Sequence, residues 1–112
     1  MMKTYLKQPP FQSQRYIRDV KRVIRCVITG RIDCDFHHIK GLKRGSGGKD
    51  DRLGFPLIRE LHVLFHNDPK AWEQRYGLQV DYCKETLEKA RDKELLRPDL
   101  IDEALSMLPT GE

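Results

Sequence analysis

The four histidines of this 112-residue chain lie within thirty residues of one another, at His37, His38, His62 and His66. His62 and His66 are four residues apart, so on a helix both imidazoles project from one face and can meet a single cation. His37 and His38 are adjacent at the end of a predicted strand, where neighbouring side chains diverge. One of the two can therefore bind a metal while the other faces a substrate.

Clustered cations mark the first half of the chain. Residues 1–25 carry seven Lys or Arg against one acid, residues 40–52 carry five against two, and residues 81–112 carry five against nine. Because clustered cations attract a polyanion by releasing its counterions, the first half predicts contact with phosphate backbones. A charged face that only solubilises the protein is the alternative. The cations predicted to contact DNA are Lys40, Lys43, Arg44, Lys49, Arg52, Arg22 and Arg25.

The two signals fit the same chemistry, hydrolysis of a phosphodiester bond. That reaction needs a base to take a proton from water, and a cation to stabilise the negative charge of the transition state. Histidine suits the first task because its unperturbed pKa of about 6.5 leaves it mostly neutral at physiological pH. Three neutral imidazoles suit the second, with positions left open for water and phosphate oxygens.

Apolar spacing and turn residues predict the elements around the first histidine pair. An extended basic arm is expected over residues 1–14, followed by a basic amphipathic helix over 15–25. Residues 26–28 and 34–39 are β-prone and could pair as a hairpin. Residues 41–54 are rich in glycine and charge, which predicts a long functional loop or, alternatively, a disordered linker.

The second half is predicted to be mainly helical. A short strand over 55–57 precedes the helix of His62 and His66, which begins near Arg59. Asn67-Asp68-Pro69 supplies a cap and a proline at the first helical position, and Gly77 ends that helix. Two further helices are expected, over 79–96 and from Pro98 onward.

These elements predict a small α+β protein of one domain, since 112 residues are too few for two ordinary cores. We expect the main domain over residues 15–96, its functional core over about 34–66, and a C-terminal helix in 97–112 that packs on it. No run of about 18 apolar residues occurs, so no membrane partner is expected. Cys26, Cys34 and Cys83 are too few for a disulfide framework, which favours a reducing, cytoplasmic location.

The segment Asp35-Phe36-His37-His38-Ile39, followed by Pro56-Leu57 and His62-x-x-x-His66, resembles the HNH endonucleases with their ββα-metal core. Over residues 26–77 it is closest to phage recombination-enhancement (Ref-type) nucleases and related small phage HNH proteins. The resemblance implies that His38 is the general base and that His37, His62 and His66 bind one divalent ion. It also implies cleavage of single- or double-stranded DNA with low sequence specificity in phage recombination or processing, in the host cytoplasm.

Two departures from the HNH pattern affect these expectations. Many members hold a structural zinc between two Cys-x-x-Cys pairs, but here the positions read Cys26-x-x-Thr29 and Ile58-x-x-Leu61. We therefore expect apolar packing and no structural zinc. The asparagine that orients the base is also missing from the loop, so Asp50 or Asp51 would have to accept the hydrogen bond from His38.

The sequence leaves the metal and two other functions open. Three imidazoles accept Zn, Mn or Ni, and Mg less readily. The main alternative is a non-catalytic nucleic-acid-binding module, in which the metal only stabilises a small fold. A third possibility is an interaction protein whose charged last helices dock a recombination or replication partner.

Overall fold

In the part of the chain that the structure describes, two short antiparallel strands lie at the centre of the fold and five helices pack around them. The computed structural model describes residues 10–40 and 50–109. Within them the chain forms one compact α+β domain whose strands and helices follow in this order: α1 Gln14–Val23, β1 Cys34–His38, β2 Gly54–Ile58, α2 Arg59–Asn67, α3 Pro69–Tyr76, α4 Gln79–Asp92 and α5 Pro98–Ser106. The predicted α+β class is therefore confirmed.

Strands β1 and β2 place the first two histidines opposite the start of β2. His37 pairs with Phe55, and His38 pairs with Gly54. A Cβ atom on Gly54 would lie 2.4 Å from the carbonyl oxygen of His37 and 2.5 Å from the Phe36 ring. Only glycine lets the two strands approach this closely beside the histidines.

The predicted hairpin between residues 26–28 and β1 was wrong. The chain turns at once after α1, where Gly30 N donates to Cys26 O at 2.9 Å and Gly30 has a φ of +74°. β1 instead pairs with β2, and Val27 reaches β2 through one bond, from its N–H to Pro56 O at 3.2 Å. The β-prone run is too short, and followed too closely by a left-handed turn, to form a strand of its own.

The helices follow their sequence signals closely. Ser13 caps α1 by accepting from Tyr16 N at 3.0 Å, and Tyr16 and Val20 are the buried residues of that basic helix. Asp68 caps α3 ahead of Pro69, and Gly77 ends it. Helix α4 ends at Asp92, four residues earlier than predicted, and α5 buries Ile101 and Ala104.

The apolar core joins the sheet to all five helices. Its fully buried members include Phe55, Leu57, Phe65, Leu87 and Ile101. Ile58 and Leu61, which stand where a second cysteine pair would be, are also buried there, as the prediction of apolar packing requires. The core therefore holds β1 and α2 side by side, and with them the histidines that they carry.

Candidate metal centre

His37, His62 and His66 converge on one point between β1 and α2. Each offers one ring nitrogen, and these three nitrogens lie within 4.8 Å of one another. The Nε2 atoms of His62 and His66 are 3.2 Å apart. Two nitrogens bound to one tetrahedral ion at about 2.1 Å lie about 3.4 Å apart, so the spacing suits a pair of ligands as well as a hydrogen bond between the rings.

His37 occupies the apolar side of this cluster. Its side chain is fully buried between the rings of Phe55 and Phe65, whose centroids lie 5.0 and 4.5 Å from its own. Burial, reinforced by the nearby His62 and His66, lowers the pKa of His37 to about 4, so the ring is neutral at pH 7. Its Nε2 lies 2.9 Å from Gln79 Oε1, whereas its Nδ1 is buried without a hydrogen-bond partner in the described part of the chain.

His62 is oriented by a carboxylate on β1. Its Nδ1 donates to Asp35 Oδ2 at 3.0 Å, so in the neutral ring Nε2 is the nitrogen with a lone pair. Arg59 binds the same carboxylate through two hydrogen bonds of 3.0 Å and holds the pKa of Asp35 below its usual range. A carboxylate behind a histidine in this way fixes the ring and makes the free nitrogen a better metal ligand.

His38 forms a separate pair with Asp51. Its Nε2 lies 2.8 Å from Asp51 Oδ1, and because a carboxylate can only accept, this nitrogen carries the hydrogen and Nδ1 has the lone pair when the ring is neutral. Asp51 is held in turn by Ser13, whose N–H donates to Oδ2 at 2.8 Å. Of the two aspartates considered from the sequence, Asp51 is the one beside His38.

A family profile matches residues 2–93 of the chain, and it is described as a protein of unknown function, DUF968. The chain belongs to the DUF968 family. No curated protein and no solved structure matches it. None of the helices in the described part of this DUF968 protein is long and apolar enough to cross a membrane.

Asp50 and Arg52 do not have the site roles proposed for them from the sequence. They form a buried ion pair, with Arg52 Nη2 2.7 Å from Asp50 Oδ2 and Nε 2.9 Å from Oδ1. Arg52 also reaches Glu103 Oε1 at 2.7 Å and Leu100 O at 3.1 Å on α5. The predicted DNA contact by Arg52 was wrong, because its side chain is only 4% exposed and its donors are used inside the protein.

The other predicted DNA-binding cations in this DUF968 chain divide into two groups. Lys40, Arg22 and Arg25 are exposed, and Lys40 follows β1 two residues after His38. Lys43, Arg44 and Lys49 lie outside the described residues, so their role stays a prediction.

Sequence reasoning missed Asp35 and Gln79, the partners of His62 and His37. A signal for Asp35 was present, because residues two apart on a strand share a face and Asp35 stands two residues before His37. Gln79 gave none. It is 42 residues from His37 in sequence and reaches it only through the folding of α4 onto the sheet.

Proposed function

We propose that this DUF968 protein is a metal-dependent endonuclease of the HNH type that hydrolyses DNA phosphodiester bonds with little sequence specificity. The order of β1, β2 and α2, with two histidines near the end of β1 and two on α2, is the order that the HNH resemblance implies for a ββα-metal core. The pathway that the resemblance implies is recombination or processing of phage DNA.

The observation that carries the proposal is the unpartnered Nδ1 of His37. A buried polar atom without a hydrogen bond costs roughly 1–3 kcal/mol, and native proteins retain few of them without a reason. His37 shares a cluster with His62 and His66, and because its Nε2 is held by Gln79, Nδ1 is the ring nitrogen left to bind an ion. A divalent ion bound by the three nitrogens would remove that cost, and it would supply positive charge against the charge that develops on the phosphate oxygens.

His38 has the properties that a general base requires. Its ring donates from Nε2 to Asp51, so Nδ1 is free of hydrogen and can accept a proton from water. The carboxylate of Asp51 would then stabilise the imidazolium that forms. His38 follows His37 directly, so their Cα atoms are about 3.8 Å apart and the base stands at the edge of the proposed metal centre.

A supercoiled-plasmid nicking assay with Zn, Mn, Ni or Mg tests this function. We expect the wild-type protein to nick the plasmid with at least one of these ions and to stop when the ion is chelated. His38→Ala should lower the rate by about 100-fold or more, since general-base catalysis contributes about that much. Cobalt titration of the same variant should give unchanged metal affinity. Nicking at the wild-type rate by His38→Ala would show that another group is the base or that a contaminant cuts the DNA.

A second candidate is a non-catalytic DNA-binding module in which the ion joins β1 to α2. The full burial of His37 among Phe55 and Phe65 favours it, because structural ligands are usually closed off from solvent. This candidate predicts that metal raises the melting temperature and that the protein binds DNA without cutting it under any of the four ions.

A further inference from the structure

Gln79, the first residue of α4, connects the proposed metal centre to the chain that follows β1. It is buried, and its side-chain amide makes three hydrogen bonds. Oε1 accepts from Lys40 N at 2.8 Å and lies 2.9 Å from His37 Nε2, and Nε2 donates to Lys40 O at 3.2 Å. The backbone N–H of Gln79 is itself fixed by Glu73 Oε2 at 2.9 Å.

These bonds determine which way the amide of Gln79 points. The carbonyl oxygen of Lys40 can only accept, so the nitrogen of the Gln79 amide must face it. The N–H of Lys40 can only donate, so the oxygen of the amide must face that side. The oxygen is therefore also the atom that His37 meets.

The orientation of the amide in turn determines the tautomer of His37. An amide oxygen accepts only, so the hydrogen of the neutral imidazole must be on Nε2. Nδ1 then carries the lone pair, and it is the buried ring nitrogen without a hydrogen-bond partner in the described part of the chain. In the opposite tautomer Nδ1 would carry the hydrogen and could not bind a cation.

We propose that Gln79 is a positioning residue that sets His37 in its metal-binding tautomer. The proposal rests on the metal centre of the function proposed above, and it adds a residue from outside the ββα unit to that centre. Helices α3 and α4 would thus contribute to metal affinity without touching the ion. Asp35 gives His62 the matching orientation from the opposite ring nitrogen.

The tautomer can be measured directly in the metal-free wild-type protein. The ¹⁵N chemical shifts of the His37 ring distinguish a protonated nitrogen from one with a lone pair. We expect the hydrogen on Nε2, and a hydrogen on Nδ1 would overturn the proposal. This measurement needs no variant, so it stays decisive if substitution at Gln79 prevents folding.

Metal affinity of two variants provides the second test, with cobalt as the probe and a chelator as competitor. Gln79→Met removes the acceptor while keeping the size of the side chain, and we expect it to weaken cobalt binding 10- to 100-fold, which is about the effect of losing an outer-shell partner. Gln79→Glu keeps an acceptor for His37 but loses the donor to Lys40 O, so it should bind cobalt more tightly than Gln79→Met and more weakly than wild type. Gln74→Met, at an exposed position on α3, is the matched control and should bind like wild type.

The outcomes separate this inference from the proposed nuclease. Wild-type affinity in Gln79→Met, or equal losses in Gln79→Met and Gln79→Glu, would overturn the positioning role even if the protein cuts DNA. Cobalt binding that depends on Gln79, in a protein that cuts no DNA with any ion, would reject the nuclease and support the positioning role. A wild-type protein that binds no cobalt would overturn both.

Discussion

At the scale of single residues, Gln79 and Asp35, which bond the rings of His37 and His62, differ in how easily water can replace them. Gln79 is buried, whereas the side chains of Asp35 and His62 are 26% and 21% exposed. When the carboxylate of Asp35 is removed, water can reach the Nδ1–H of His62. Water cannot reach the Nε2–H of His37 in the same way, because that ring is buried. We therefore expect the centre to tolerate loss of Asp35 better than loss of Gln79.

Asp35→Ala should weaken cobalt binding by about 10-fold, at the lower end of the range for an outer-shell partner. Asp35→Asn keeps an oxygen for His62 and should lose less. Arg59→Ala is the control, because it removes the two bonds to Asp35 and leaves the bond to His62 in place. Competition with a chelator measures all three, and a larger loss in Asp35→Ala than in Gln79→Met would contradict this ranking.

The residue types and spacing of the histidines were enough to predict the cluster. The i, i+4 spacing of His62 and His66 is a local property of a helix, and adjacent strand residues diverge wherever the strand lies. The choice between Asp50 and Asp51 could not be made in the same way. It depends on the turn before β2, in which Asp51 faces His38 and Asp50 faces Arg52.

At the scale of elements, the buried pair of Asp50 and Arg52 ties the turn before β2 to both ends of the described chain. Asp50 Oδ2 accepts from Phe11 N at 3.2 Å, and Arg52 reaches α5 through Glu103. Burial by itself would raise the pKa of Asp50, but the hydrogen bonds from Arg52 and Phe11 outweigh it and hold the pKa below its usual value. The pair therefore acts as a structural link near the proposed base.

Asp50→Asn should lower the free energy of unfolding of the metal-free protein by roughly 3–5 kcal/mol, because it removes the buried carboxylate from Arg52 and leaves only the half-exposed Glu103 to balance the charge. Glu103→Gln removes an acid that is 51% exposed and should cost less than about 1 kcal/mol. Urea denaturation at pH 7 measures both, and equal losses would contradict a buried link at Asp50.

The difference in unfolding free energy between wild type and Asp50→Asn should depend on pH. The folded pKa of Asp50 is lower than its unfolded value, so its contribution to stability is present above about pH 4 and is lost as pH falls through the folded pKa. The difference in unfolding free energy between wild type and Asp50→Asn should therefore shrink below about pH 4. A difference that stays constant down to pH 3 would show that the carboxylate charge is not what stabilises the turn.

Elements defined by local signals were predictable, and pairings between distant segments were not. The ends of α3 follow from Asp68, Pro69 and Gly77, which act within a few residues. The partner of β1 begins more than ten residues further along the chain and is set by packing, and the prediction wrongly chose the nearer run at residues 26–28. Every residue of β2 is buried, because the folded core covers both faces of the strand. A strand buried on both faces does not show the alternation of apolar and polar residues by which a half-buried strand is recognised in a sequence.

At the scale of the whole molecule, only some of the cations counted in the basic first half of the sequence lie at the surface of the folded protein. Arg22, Arg25 and Lys40 remain exposed, whereas Arg52 turns inward to neutralise Asp50. On the acidic second half, Arg91 pairs with Asp102 at 2.8 Å and Lys89 with Glu85 at 3.2 Å. Counting charges along the sequence therefore overstates the number of cations at the surface, and the exposed cations near β1 are the better candidates for the proposed DNA contact.

Lys40→Gln should weaken DNA binding for all sequences alike and reduce the slope of log affinity against log salt by about 1, which corresponds to one lost phosphate contact. The substitution leaves the backbone bonds of Lys40 to Gln79 intact, so it changes the charge and not the metal centre. Measurements in a His38→Ala background keep the DNA uncut. Arg91→Gln removes the same charge from the acidic half and should leave both affinity and slope nearly unchanged. Equal effects of the two substitutions would mean that DNA responds to net charge alone, and the proposed contact beside the histidines would then be rejected.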